Sequence, residues 1–243
     1  MKLELKNIIK TFNKDSENQV VAVDNISLDF YSGEWTYIIG GNGSGKSTLL
    51  KIIAGELKKD GGNIIFKGCS NKDLIFVDQT TSKNLIQPMS IYENLIFGLK
   101  NEGMIPNLSF YIRKKAKEKI KRVLSEFGLG LEYRLNEQVR FLSGGEQQII
   151  VATRILLSEP KILLMDEFTS ALDQKWAPFI LNKIKKYSIE NNLIVIAITH
   201  DFSQIENIGD RLIMLKDGKI SVDRREKTQH FTTQFILDLF YEK

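Results

Sequence analysis

Cysteine and long apolar runs are the scarcest features of this chain of 243 residues. The one cysteine, Cys69, excludes an internal disulfide and favours a cytosolic location. No apolar run approaches the roughly 20 residues that a helix needs to cross a bilayer. The first residues alternate polar and apolar side chains and lack the apolar centre of a signal peptide, so we expect the chain to stay in the cytoplasm.

Internal repeats and long low-complexity linkers are also missing, and a long coiled coil does not fit in this length. The net charge of +4 is modest and gives no indication of a nucleic-acid partner. Hydrophobic residues make up 42% of the chain, which is enough to bury the core of one large domain or of two closely joined domains.

A glycine-rich loop matches the phosphate-binding pattern G-x-x-x-x-G-K-[ST] at every fixed position. An apolar strand precedes it and an apolar helix follows, which disfavours a mere turn without a ligand. Backbone N–H groups at the glycines and the positive end of the helix favour an anion. Lys46 is predicted to reach the β- and γ-phosphates of a nucleotide, and the Ser47 hydroxyl to bind Mg²⁺. The residues predicted to hold the phosphates are Gly40, Gly41, Asn42, Gly43, Ser44, Gly45, Lys46, Ser47 and Thr48.

A second apolar run ends in two carboxylates, Asp166 and Glu167. The run is short for a helix, and we predict a buried strand whose carboxyl end opens into the crevice where ligands of open α/β sheets bind. Asp166 is placed to hold Mg²⁺ through water, and Glu167 to polarise the attacking water as general base. A capped loop would explain two acids equally well, but the phosphate-binding loop favours the catalytic interpretation.

A second glycine turn, from Leu142 to Glu146, lies between these two motifs. It resembles the signature sequence of the ATP-binding cassette (ABC) ATPases, and the other motifs of that family occur in order along the chain. The resemblance extends from Leu3 to about Ile220. It implies that the chain is an ATPase that takes ATP as substrate with Mg²⁺ as cofactor.

The resemblance also implies roles for single residues. Phe12 matches the aromatic ring that stacks on adenine, and Gln79 matches the glutamine that contacts Mg²⁺ and the attacking water. Asp173 ends a segment that matches the D-loop of the family, and His200 matches the switch histidine that contacts the γ-phosphate. The implied catalytic residues are Lys46, Gln79, Glu167 and His200, and the implied Mg²⁺ residues are Ser47, Gln79 and Asp166.

The signature supplies a second anion site at the predicted start of a helix near Glu146, formed by Ser143 and the N–H groups of Gly144 and Gly145. In the family this site closes over the γ-phosphate held by another copy, so that two ATP molecules lie sandwiched in a head-to-tail dimer. ATP binds the closed dimer better than the open one, and hydrolysis releases it. A serine-capped helix with an early glutamate is the local alternative, and it is compatible with the same function.

The pattern of strands and helices predicts one nucleotide-binding domain of the α/β class. Residues 1–80 and 158–225 are predicted to form a RecA-like P-loop NTPase core with an antiparallel β portion at its start. Residues 81–157 are predicted to form an inserted helical subdomain that ends in the signature. Residues 226–243 are predicted to form a C-terminal helix whose apolar face packs on the core.

Residues 113–122 hold seven lysines or arginines, opposed only by Glu118. The favoured interpretation is a solvated helix face. Proximity to anionic lipid headgroups is the alternative, and nucleic acid is a weaker third because no aromatic residues interleave with the charges.

Within the family, segments 39–43, 88–95, 129–135 and 210–214 look like the ATPases of tryptophan and tyrosine import systems, which are relatives of the branched-chain amino-acid group. The resemblance implies an amino-acid-type importer with a membrane permease, an extracytoplasmic binding protein and this chain at the inner face of the cell membrane. The partners select the solute, so this step rests on family analogy.

Four residues depart from the common family pattern. Glu146 stands in place of a frequent glutamine, Ile149 in place of an arginine, Phe168 in place of a proline, and Asp78 precedes Gln79. None of these changes removes a catalytic group, so we expect them to affect coupling geometry more than hydrolysis.

An ATPase that acts on ribosomes or nucleic acid without a permease is the alternative function. The single cassette and the lack of a coiled coil disfavour it. A nucleotide-binding regulator without steady hydrolysis is a third possibility. We therefore expect a transporter ATPase that works as a homodimer or as half of a paired cassette.

Overall fold

The computed structural model describes residues 1–99, 110–170, 172, 176–225 and 231–241. Two compact units are present. The first comprises Met1–Val77, Lys161–Phe168 and Ser188–Lys243, and the second comprises Asp78–Pro160 and Thr169–Tyr187. The division at residues 80, 157 and 225 stays a prediction.

All the strands in the described residues belong to the first unit. In chain order they are β1 (Lys2–Phe12), β2 (Val20–Tyr31), β3 (Trp35–Ile39), β4 (Gly61–Lys67), β5 (Leu74–Val77), β6 (Ile162–Asp166), β7 (Ile194–Ile198), β8 (Arg211–Lys216) and β9 (Lys219–Arg225). Strands β1, β2 and β4 form an antiparallel sheet with β1 in the middle. The other strands form a second sheet in the order β5-β6-β7-β3-β8-β9, parallel except for the edge pair β8 and β9. This architecture confirms the predicted α/β class.

The middle strands of the larger sheet are mainly apolar because both of their faces are covered. Every residue of β3, β6 and β7 is buried. Pairing in register places Tyr37 opposite Ala197, and Asp166 opposite Ile198. Parallel strands in register end at the same edge of a sheet. The loops after β3, β6 and β7 therefore leave the sheet side by side.

The helices complete both units. They are α1 (Lys46–Ala54), α2 (Thr81–Asn84), α3 (Ile91–Ile96), α4 (Phe110–Ser125), α5 (Gly144–Ser158), α6 (Trp176–Glu190), α7 (Phe202–Ile208) and α8 (Thr233–Tyr241). In the first unit, Leu49, Leu50 and Ile53 of α1 join the buried residues of both sheets in one apolar core.

The C-terminal helix packs on the first unit, as the apolar spacing predicts. Phe231 and Ile236 are buried, and the rings of Phe202 and Phe240 have centroids 5.7 Å apart. The contact between α7 and α8 buries an apolar stripe that would otherwise face water.

In the second unit α4 packs against α3 and α5. Ala116 and Ile120 lie four residues apart on the buried face of α4, while Lys117 and Lys121 are exposed. The basic stretch is therefore a helix with solvated lysines, as the favoured interpretation requires. The alternative, proximity to anionic lipid headgroups, stays a prediction. Within the described part of the chain, no helix is both long and apolar enough to span a membrane.

Candidate functional site

Three loops of the first unit leave the same edge of the larger sheet. The loop that begins at Gly40 follows β3, Glu167 follows β6, and His200 lies two residues after β7. The backbone N–H of Glu167 donates to the carbonyl oxygen of Ile198 over 3.1 Å, which ties the loop after β6 to the end of β7. The sheet therefore brings the predicted phosphate loop, the acidic pair and the histidine together.

Two positions of the phosphate loop require glycine because the backbone passes too close to other backbone atoms. Gly40 has φ of 144°, and a Cβ there would lie 2.2 Å from the carbonyl oxygen of Leu215. Gly45 has φ of 98°, and a Cβ there would lie 2.0 Å from the carbonyl oxygen of Ala22. Gly45 also precedes α1 without a side-chain cap, so the start of α1 offers N–H groups to an anion.

Lys46 lies inside this loop. Its Nζ atom donates to the carbonyl oxygens of Gly40 and Gly41 over 2.8 and 2.9 Å. Burial lowers the pKa of the Lys46 ammonium, and the charges of Glu167 and Asp166 act in the opposite direction. The loop thus holds a cation beside N–H groups, as a phosphate site requires.

The predicted metal residues of the first unit are in contact. The Ser47 hydroxyl donates to Oδ1 of Asp166 over 3.1 Å, and Asp166 is buried. A hydroxyl and a carboxylate are hard oxygen ligands, and Mg²⁺ is bound in proteins by few side chains with waters and phosphates. In the described residues, no group of three or more His, Cys, Asp or Glu side chains could hold a metal ion by itself. Ser47 and Asp166 therefore fit Mg²⁺ that is shared with a nucleotide.

The predicted base and the predicted switch histidine are paired. Nε2 of His200 lies 2.9 Å from Oε1 of Glu167. The His200 side chain is 53% exposed, whereas that of Glu167 is 20% exposed. Glu167 has φ of 48°, a left-handed conformation that is uncommon for residues other than glycine and that turns the chain sharply after β6.

Phe12 lies at the end of β1, and its ring is partly exposed. Nζ of Lys10 lies 5.3 Å from the ring centroid, so a cation already contacts this aromatic ring. An exposed ring at the end of a strand is a flat apolar surface on which a base can stack.

The signature lies at the start of α5 in the second unit. The Ser143 hydroxyl accepts from the N–H of Glu146 over 3.3 Å, and the Glu146 carboxylate accepts from the N–H of Ser143 over 2.8 Å. This reciprocal pair is the capping box that the sequence predicts. Ser143 and Gly144 are exposed, so the start of this 15-residue helix is open to solvent.

Glu146 has a second partner that sequence reasoning missed. Nη1 of Arg134 makes a short hydrogen bond to Oε1 of Glu146. The same guanidinium binds both carboxylate oxygens of Glu137, from Nε over 2.7 Å and from Nη2 over 2.8 Å. Burial raises the pKa of Glu146, but hydrogen bonds from Ser143 and Arg134 outweigh burial and keep this pKa below its ordinary value.

Gln79, also in the second unit, is exposed and follows a buried polar network. The N–H of Asp78 donates to Oδ1 of Asn84 over 3.0 Å, and Nδ2 of Asn84 donates to the carbonyl oxygen of Asp78 over 2.7 Å. Nη1 of Arg154, on α5, donates to the carbonyl oxygen of Asn84 over 2.7 Å. The loop after β5 is therefore tied to the signature helix within this unit.

Asp173 lies outside the described residues. Leu172, one residue earlier, is described, and a Cβ added at Gly145 would lie 3.9 Å from its Cδ2. Arg134 and Asn84 were missed because each acts through a contact that spans a turn. The acidic residues on both sides of Arg134 were the one available signal.

The fold and these strand ends define a P-loop ATPase. A family model described as ABC transporter matches residues 23–170, and the chain belongs to that family. As an ABC ATPase it binds ATP with Mg²⁺ and hydrolyses ATP.

Relatives with several different solutes match over most of the chain. A tyrosine transport ATP-binding protein of Clostridioides difficile is 34% identical over 248 residues, and the match covers 98% of both chains. An energy-coupling factor transporter ATP-binding protein of Oenococcus oeni is 33% identical over 232 residues, covering 92% of this chain and 79% of the relative. A sulfate/thiosulfate import ATP-binding protein of Pseudomonas aeruginosa is 36% identical over 229 residues, covering 90% of this chain and 65% of the relative.

Solved structures agree with the fold. An ATP-binding cassette determined as a dimer in a post-hydrolysis state with ADP and Pi has a TM-score of 0.77 and 32% identity, covering 93% of this chain and 99% of its own. A nucleotide-free cassette from an ABC transporter has a TM-score of 0.76 and 26% identity, covering 100% of this chain and 96% of its own.

Proposed function

We propose that this chain is the ATP-hydrolysing subunit of an amino-acid-type importer and that ATP drives two cassettes into a closed dimer. Two features in one chain give the strongest support. One is the strand-edge site, the phosphate loop, acidic pair and histidine that follow β3, β6 and β7. The other is the exposed, capped start of the signature helix. The relative named for tyrosine transport supports the solute class, because it matches 98% of both chains.

In this proposal the first unit binds the nucleotide. Phe12 stacks on adenine, the loop from Gly40 to Thr48 surrounds the phosphates, and the Lys46 ammonium moves from the loop carbonyls to the β- and γ-phosphate oxygens. Exchange of two neutral carbonyl oxygens for anionic phosphate oxygens strengthens each hydrogen bond of Lys46, because the ammonium is attracted more strongly by a negative charge than by a carbonyl dipole.

Ser47, Asp166 and Gln79 are the proposed residues for Mg²⁺. Mg²⁺ neutralises negative charge on the phosphate oxygens when it is bound. The contact between Ser47 and Asp166 supports this proposal for two of the three residues.

Glu167 is the proposed general base, and His200 is the proposed contact for the γ-phosphate. The carboxylate orients the attacking water and accepts its proton. The contact between Nε2 of His200 and Oε1 of Glu167 supports the pairing of these two roles. Lys46 and His200 stabilise charge in a loose phosphoryl-transfer transition state, so catalysis is mainly electrostatic.

The second half of each site comes from another cassette. Ser143, Gly144, Gly145 and Glu146 approach the γ-phosphate held by the partner, and Asp173 lies in the proposed D-loop of the same interface. We propose that residues 81–157 act as the helical subdomain that bears this signature. The dimeric state of the solved relative supports a homodimer, and a paired cassette would use the same surfaces.

The proposed importer includes other proteins as partners of this chain. A membrane permease forms the translocation path, an extracytoplasmic binding protein delivers the solute, and the chain is peripheral on the inner face of the cell membrane. No nucleic-acid partner is proposed.

Affinity purification of the tagged chain from native membranes, followed by transport assays, tests this proposal. We expect recovery of a polytopic membrane protein and ATP-dependent uptake of labelled tyrosine or tryptophan in reconstituted liposomes. The matched control is Glu167→Gln, which should be recovered with the same partner but should not support uptake. RNase-sensitive recovery with ribosomes, or uptake of sulfate without uptake of any amino acid, would contradict the proposal.

A further inference from the structure

The signature places a carboxylate very close to the proposed γ-phosphate contact. Oε2 of Glu146 accepts from the Ser143 hydroxyl over 3.0 Å. A phosphate oxygen that replaced Glu146 as the acceptor of this hydroxyl, at an ordinary distance of about 2.7 Å, would lie less than about 6 Å from that carboxylate oxygen. Two anions at this separation repel each other appreciably in a partly buried site.

A glutamine at position 146 would not repel the phosphate, because its side chain is neutral. Glutamine at the third position of a helix makes the same capping contact with a neutral carbonyl oxygen. Glu146 therefore adds a negative charge to the signature that the cap itself does not need. Hydrogen bonds from Ser143 and Arg134 stabilise the ionised form, so this charge is present at neutral pH.

Arg134 is the cation that faces this charge. The fork of Arg134 is fixed by its bidentate contact with Glu137, which leaves Nη1 directed at Oε1 of Glu146. The Arg134 side chain is 37% exposed and that of Glu146 is 22% exposed, so solvent screens this pair only in part. Removal of Arg134 would leave the Glu137 and Glu146 carboxylates without their shared guanidinium beside the start of α5.

We propose that Arg134 is a positioning residue for ATP hydrolysis: it directs the Glu146 carboxylate into the capping box and offsets its charge, so that the start of α5 accepts the γ-phosphate of a partner's ATP. This inference rests on the proposed role of the signature. Under this proposal, ATP hydrolysis requires Arg134 because residue 146 is a glutamate, whose charge must be offset.

Substitutions at both positions separate charge from structure. Arg134→Gln keeps a hydrogen-bond donor but removes the charge. Arg134→Lys keeps the charge but replaces the planar guanidinium fork with an ammonium. Glu146→Gln removes the carboxylate. The matched control is Arg122→Gln, which removes an exposed arginine of α4 in the same unit. The readouts on the full chain are kcat and KM for ATP hydrolysis and the affinity of the dilute chain for ATP.

We expect Arg134→Gln to lower kcat about tenfold, a change equivalent to about 1.4 kcal/mol, while the ATP affinity of the dilute chain stays within about twofold. Arg134→Lys should retain at least about a third of wild-type turnover. The double variant Arg134→Gln/Glu146→Gln should match Glu146→Gln within about twofold, because neither variant has a carboxylate at position 146 to offset.

Turnover of Arg134→Gln within twofold of wild type would overturn the proposal. If Arg134→Gln lowers the turnover of Glu146→Gln by the same factor as it lowers that of wild type, the proposal is also overturned, since Arg134 would then act independently of Glu146. If Arg134→Gln does not fold, the comparison of Glu146→Gln with the double variant decides alone. Failure of the double variant to fold would show that Arg134 has a structural role and would contradict the proposal.

A separate variant tests whether the signature binds phosphate at all. Ser143→Arg fills the start of α5 with a bulky side chain and should abolish turnover if the signature binds phosphate. Retained turnover in Ser143→Arg would reject the signature role itself. Lost turnover in Ser143→Arg together with normal turnover in Arg134→Gln would reject only the role of Arg134.

Discussion

Nε2 of His200 lies 2.9 Å from Oε1 of Glu167 in the first unit. The two residues are 33 positions apart in sequence, and they meet because β6 and β7 are adjacent parallel strands in register. The imidazole thus restrains the carboxylate proposed to activate water. Oε1 is the carboxylate oxygen of Glu167 that His200 contacts.

Glu167→Gln should lower the steady-state rate of ATP hydrolysis at least about 100-fold, because an amide does not accept the proton of the attacking water. Glutamine keeps the size and the acceptor oxygen of the side chain, so ATP binding should be preserved and ATP-bound dimers should accumulate in gel filtration. Normal turnover in this variant would reject Glu167 as the base.

Asp166→Asn should raise the Mg²⁺ concentration needed for half-maximal turnover about tenfold or more, because a neutral amide binds a hard cation weakly. Titration of Mg²⁺ at saturating ATP measures this shift. Asp238→Asn, an exposed residue of α8, is the control and should keep the wild-type Mg²⁺ dependence. Equal Mg²⁺ dependence in the two variants would contradict the assignment of Asp166.

Phe12→Ala should weaken ATP binding about 5- to 100-fold, since stacking of a base on an aromatic ring is worth about 1–3 kcal/mol. Phe12→Tyr should bind normally because the ring is kept. Inorganic tripolyphosphate has no base to stack, so its affinity should be unchanged in Phe12→Ala. An equal loss of affinity for ATP and tripolyphosphate would show that Phe12 supports the phosphate loop and does not contact adenine.

The pH dependence of stability should include a contribution from Glu4. Hydrogen bonds from Lys2 and Lys67, at 2.7 and 2.5 Å, lower the pKa of the Glu4 carboxyl from 4.5 to about 2. A carboxyl with a lowered folded-state pKa stabilises the fold above its unfolded-state pKa, and this stabilisation is lost as the pH falls. The urea concentration at the midpoint of unfolding should therefore decrease as the pH is lowered from 4.5 to about 2. Glu4→Gln should show a smaller fall, and an identical fall in both proteins would contradict the assignment.

Much of the strand-edge site could be predicted because its residues follow strand ends. Apolar runs that end in Gly40 or Asp166 mark strand ends, and parallel strands in register bring those ends to one edge whatever the connecting segments do. The capping box at Ser143 was predictable for a similar reason, since it depends on a spacing of three residues within one helix start.

Contacts across irregular turns could not be predicted. Arg134 reaches Glu146 only because two short 3₁₀ turns, Leu131–Tyr133 and Val139–Phe141, fold the chain back before α5. The effects of the residues that depart from the common family pattern could not be predicted either. Ile149 and Phe168 replace residues of different character, yet both are buried, so packing against neighbours determines their contribution.

We propose that a second cassette completes each catalytic site. Specific ATPase activity measured over a wide dilution series, with dimer content followed in the same samples by sedimentation, tests it most directly. Activity per chain should fall in proportion to the dimer fraction on dilution, while the chain still binds ATP. Constant activity per chain at dilutions where no dimer remains would show that one cassette forms a complete site.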